Sequence, residues 1–165
     1  MRKLYGIAAL VFTGFIFYNS ILPAPASDET SYFFVNLVSG INAFLDKPVP
    51  LEEMNHYIRK TAHFTEYFVQ ALLLCNAFVS DRTDRKNSHG YILLLSLLTA
   101  VLDEFIQLFS PGRSGQVTDI MLDFAGGFSG WLAYRYRHRL WLGSRTPPSR
   151  TWRRCDNRNL KSNNR

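Results

Sequence analysis

Side chains able to carry protons, charge or a metal ion cluster in three short stretches of this sequence: His63 and Glu66, then Glu104, Gln107 and Arg113, then Asp119 and Asp123. Asp103 adjoins the second group. His63/Glu66 and Glu104/Gln107 are three residues apart, while Asp103/Gln107 and Asp119/Asp123 are four apart, so each pair projects from one face of a helix. Carboxylates beside a histidine and an arginine can share and pass protons. Arg113 follows Pro111-Gly112, and from such a turn its planar guanidinium could receive a phosphate or a carboxylate. His63, Glu66 and two or three further acids could equally hold a divalent metal, although the spacing matches no strong signature such as H-E-x-x-H. No serine or cysteine stands in a nucleophile-elbow context, and no glycine-rich loop is present to cradle a phosphate. The residues alone leave the cofactor open, and with it the question of catalysis.

Four apolar stretches must position these groups. Residues 4–22 hold no charge, and 62–79 carry only His63 and Glu66, both near the start. Residues 90–109 hold Asp103 and Glu104 near their end, and 117–136 hold Asp119 and Asp123 near their start. Each stretch is close to the ~20 residues that cross a hydrocarbon core. A buried soluble bundle is the competing reading, but four cores of spanning length in 165 residues favour an all-α, four-helix transmembrane bundle. The Gly126-Gly127 and Gly130 run in the fourth stretch suits close helix packing.

Charge orders the stretches. Arg2 and Lys3 precede the first, and Arg82, Arg85 and Lys86 follow the second. From Arg135 onward there are ten Lys/Arg and one acid, so the net charge of +6 belongs to a tail and residues 1–134 are net negative. The first loop has three bases (Lys47, Arg59, Lys60) against five acids, and the third has Arg113 alone. This alternation predicts both termini in the cytoplasm and the first and third loops outside. All the acids embedded in the stretches then fall near the outer face. There they either mark a functional site or lock the helices together by pairing with Arg59, Lys60, His63 and Arg113. Partners are expected to be membrane lipids or a lipid-linked envelope precursor, with the basic tail facing anionic headgroups rather than nucleic acid.

Arg2-Lys3, an apolar run and Ala24-Pro25-Ala26 together have the outline of a signal peptide. A run of 19 apolar residues is longer than a signal peptide needs, so an uncleaved anchor is expected. Within residues 31–45, Phe34, Leu37, Val38, Ile41, Phe44 and Leu45 recur at helical spacing and predict an amphipathic helix in the first outer loop. Pro50 with Glu52 and Glu53 predicts a helix start near Leu51 that continues into the second stretch. The chain divides into a transmembrane domain at 1–140 and a basic tail at 141–165, expected to be disordered. Cys75 and Cys155 suggest neither a disulfide framework nor a thiolate metal site.

Three blocks are recognisable: Arg59-Lys60-Thr61-Ala62-His63-Phe64-Thr65-Glu66-Tyr67, the run Asp103-Glu104-Phe105-Ile106-Gln107 continuing through Leu108-Phe109-Ser110-Pro111-Gly112-Arg113, and Asp119-Ile120-Met121-Leu122-Asp123-Phe124-Ala125-Gly126-Gly127. In this order and spacing they resemble the VanZ-like family of bacterial multi-pass membrane proteins, over roughly residues 5–136. The resemblance implies His63, Glu66, Glu104, Gln107, Arg113, Asp119, Asp123 and Gly127 as the family positions. Founding members are associated with low-level resistance to the glycopeptide antibiotic teicoplanin, so the resemblance implies a cell-envelope role with glycopeptide tolerance as one phenotype. It implies no reaction.

Overall fold

The computed structural model describes residues 2–23, 50–79, 85–113 and 115–143. These are all-α, with four helices: α1 Arg2–Ile21, α2 Leu51–Phe78, α3 Arg85–Gln107 and α4 Val117–Gly143. The four correspond to the four apolar stretches. The amphipathic helix expected within residues 31–45 lies outside the described residues, as does the chain beyond Gly143. The chain divides into two compact units, Met1–Tyr134 and Arg135–Arg165. The four helices meet in the first.

α2 starts at Leu51 and runs unbroken into the second apolar stretch, as the sequence predicts. Pro50 precedes it with φ −55° and ψ 145°, and its carbonyl accepts from Met54 N at 3.0 Å. Proline suits that place because its fixed φ leads into the first turn. α3 begins at Arg85, five residues before the expected Gly90, and ends at Gln107 rather than Phe109. Its early stop leaves Leu108 to Arg113 free to form the turn into α4. α4 extends to Gly143, beyond the apolar stretch that ends at Tyr136.

α1 packs against both α2 and α3, and α2 against α3. Ile16, Tyr67 and Ala100 form one buried cluster from these three helices. Ala9, Leu74, Cys75, Ile92, Trp131 and Tyr134 form a second, which includes α4. The contact between α4 and α2 is made by glycine. A Cβ on Gly126 would overlap the Phe64 carbonyl oxygen, and one on Gly130 would overlap that of Phe68. Gly127 faces Ser96 of α3, where a Cβ would stand 3.1 Å from that of the serine. Glycines at i and i+4 thus meet carbonyls at i and i+4 of the neighbouring helix, a close approach only a missing side chain permits.

Burial is inverted relative to a water-soluble bundle. Ser20, Gln70, Ser96, Thr99, Asp103, Glu104, Gln107 and Asp123 are buried. Leu4, Ile7, Leu10, Val11, Tyr91, Leu94, Leu98, Val101, Leu102 and Phe105 are exposed. In water such apolar faces would cost about 25 cal/mol per Å² left wet. α1 and residues Ser88–Gln107 of α3 are each long and apolar enough to cross a membrane. Lipid is the solvent that suits both faces.

Candidate functional site

The polar groups collect at one end of the bundle, where α1 ends, α3 ends and α4 begins. At the opposite end, Arg2 of α1 donates to the Ala77 carbonyl of α2 at 3.3 Å, so the first two helices are antiparallel.

The turn between α3 and α4 organises this end. Arg113 N donates to Ser110 O at 3.2 Å across Pro111-Gly112, and Gly112 has φ 77°. Proline followed by a positive-φ glycine is the composition of a type II turn. The turn reaches back to α1. Ser110 Oγ lies 2.7 Å from Ser20 O and 3.0 Å from Ile21 O, and Arg113 Nη2 donates to Asn19 O at 3.3 Å. The last carbonyls of α1, which have no partner within that helix, are therefore satisfied by the turn. Glu104 accepts from the backbone N–H of Gln116, the residue whose carbonyl opens α4.

Inside this frame stands the carboxylate cluster. Asp103 is fully buried, accepting from Ser20 Oγ at 2.5 Å and from Gln107 Nε2 at 3.2 Å. Glu66 accepts from Asn19 Nδ2 at 3.0 Å. His63 Nδ1 lies 3.9 Å from Glu66 Oε2 and 4.0 Å from Asp103 Oδ2, beyond hydrogen-bonding reach. Lys60 Nζ pairs with Asp119 at 3.0 Å. A polar thread continues inward, with Gln70 Nε2 at 2.8 Å from Thr13 Oγ1 and 3.3 Å from Thr99 Oγ1.

Beside the cluster opens a cavity of about 180 Å³. His56, Arg59, Lys60 and Arg113 bring basic groups to its lining, and His63, Gln107, Gln116, Asp119 and Asp123 bring further polar ones. Of the residues singled out from the sequence, His63, Gln107, Arg113, Asp119 and Asp123 line this cavity. Glu66 and Glu104 do not: the first is tied to α1 and the second to the start of α4. Sequence reasoning missed His56 as a lining residue, and Asn19 and Ser20 as members of the cluster. Asn19-Ser20 had a signal, since it is a polar pair at one end of an otherwise apolar stretch.

A family model described as VanZ/LLP1 matches residues 5–141. No curated protein and no solved structure matches the chain. The match takes in α2 and α3 whole, most of α1 and α4, and every residue of the cluster and cavity described above.

Proposed function

We propose that this chain, which belongs to the VanZ/LLP1 family and is a membrane protein, binds or acts on a lipid-linked cell-envelope component through the cavity between α2 and α4. The observation that carries this reading is the cavity lining. His56, Arg59, Lys60 and Arg113 converge there from α2 and the α3–α4 turn, beside His63 and two acids. Arginines and lysines gathered at a concave site suit a phosphate or carboxylate headgroup, and the apolar flanks of the helices suit its lipid chain.

In this reading the four helices cross the membrane with both termini in the cytoplasm, and the cavity faces the outer leaflet. The alternation of basic loops supports that orientation. The packing of α1 against α2 and α3, and the part Asn19 and Ser20 play in the cluster, support an uncleaved first span. Arg113 is the headgroup receiver and His63 the candidate for proton exchange with it.

The test is headgroup binding by the purified chain in detergent, with a polyprenyl phosphate as the probe, and glycopeptide sensitivity of bacteria producing it. Arg113→Lys should weaken binding on the order of tenfold at unchanged folded yield, because the bidentate contact is lost. Binding equal to that of the unmodified protein would remove Arg113 from the role.

One observation favours a second reading, a non-enzymatic scaffold or transport accessory. Asn19–Glu66, Ser20–Asp103, Glu104–Gln116 and Lys60–Asp119 each tie separate segments together. In that case Glu66→Gln and Asp119→Asn should lower folded yield and any phenotype in parallel. Normal yield with a lost phenotype would favour the first reading.

A further inference from the structure

We propose that His63, Asp103 and Asp123 form a binding site for one divalent transition-metal ion at the inner wall of the cavity. Each residue brings one ligand atom, and the three atoms lie within 4.8 Å of one another. Ligand bonds of about 2.0–2.2 Å at tetrahedral or octahedral angles put two donors on one ion roughly 3–3.6 Å apart, so closure needs movements of up to about an ångström. The donors come from three different helices, α2, α3 and α4, which the sequence keeps far apart.

Two further observations point to a ligand at this place. Asp123 is only 2% exposed, yet it takes part in no hydrogen bond or ion pair among the described residues, and it lines the cavity. A carboxylate at the wall of a cavity, with little other exposure, suits a cation there. The second observation is His63 Nδ1. It is buried without a hydrogen-bond partner and stands 4.0 Å from Asp103 Oδ2, too far for a hydrogen bond but suited to an ion between the two.

The outer shell is already in place. Ser20 Oγ and Gln107 Nε2 fix the Asp103 carboxylate from two sides, as partners of a ligating carboxylate do. One nitrogen with two carboxylate oxygens is a mixed donor set that suits Mn²⁺, Fe²⁺ or Zn²⁺ better than an all-oxygen site for Ca²⁺. Because His63 and Asp123 also line the cavity, the ion's remaining positions face it. The site stands whether or not the cavity takes a lipid headgroup.

The experiment uses the full chain in detergent, stripped with a chelator and titrated with Mn²⁺ alone. Paramagnetic resonance reads the bound ion and its coupling to an imidazole nitrogen. The unmodified chain should bind one Mn²⁺ with a nitrogen coupling that is absent in His63→Gln. Asp123→Asn should weaken binding at least tenfold, whereas Glu53→Gln, an exposed acid of α2 outside the cavity lining, should bind as the unmodified chain does. Size-exclusion profiles identify any variant that fails to fold. A folded, unmodified chain that binds no stoichiometric Mn²⁺, or binds it without nitrogen coupling, overturns the site. Equal loss in Glu53→Gln and Asp123→Asn also overturns it, because the acids would then act only as a diffuse negative surface. A chain that binds polyprenyl phosphate but no Mn²⁺ would refute the metal site while leaving the proposed function standing.

Discussion

At the residue scale, Asp103 shows how an acid is accommodated in this bundle. Full burial of a carboxyl is costly, and here Ser20 and Gln107 each donate to it. Ser20→Ala leaves the carboxyl with one donor fewer and adds no bulk. It should cost about 1–2 kcal/mol of stability, read from reversible unfolding in mixed detergent micelles. Ser110→Ala, which affects only backbone carbonyls at the end of α1, should cost less than Ser20→Ala. An equal or larger loss would mean that the cap on α1 outweighs the support of Asp103.

At the scale of elements, two glycine positions determine geometry for different reasons. Gly112 holds φ 77° in the turn that delivers Arg113 to the cavity, a conformation that costs a side-chain-bearing residue about 1–3 kcal/mol. Gly112→Ala should therefore weaken polyprenyl phosphate binding with little change in helix content by circular dichroism. Gly130 holds no special dihedral angle; it lies against the Phe68 carbonyl, and any Cβ there pushes α4 away from α2. Gly130→Val should sharply reduce folded yield in detergent, as followed by size-exclusion chromatography. Gly14, with open space around its Cβ position, should accept alanine without loss.

At the scale of the whole molecule, inverted burial is the governing fact. Leu98 is exposed on α3 while Ser96 and Thr99 beside it are buried. Leu98→Arg, placed well inside a candidate span, should cost about 2.5–3.5 kcal/mol of insertion free energy and reduce the amount recovered in the membrane fraction. Leu98→Phe should be neutral. If Leu98→Arg instead raised the yield of protein soluble without detergent, the face would be wet rather than lipid-exposed.

Hydropathy and local spacing by themselves determine much of this. Four apolar stretches must bury their backbone polar groups in helices, so an all-α bundle with an unbroken α2 from Leu51 was legible from pattern alone. The three polar blocks were legible too, because a charged group in an apolar helix is expensive and conspicuous. Tertiary structure alone decided which of these groups face a common cavity. Glu66 and Glu104 have the same chemistry as Asp123, yet the first is tied to Asn19 and the second to the opening of α4, while Asp123 faces the space. The sequence marks Asn19-Ser20 as a polar pair at the end of an apolar stretch, but does not show that they meet Glu66 and Asp103, nor that His63, Asp103 and Asp123 converge within 4.8 Å. Helical spacing fixes only which residues share a face. Which face meets which neighbour depends on how each helix is rotated, and that rotation is set by packing between residues far apart in the chain, such as Gly126 on Phe64 and Gly130 on Phe68.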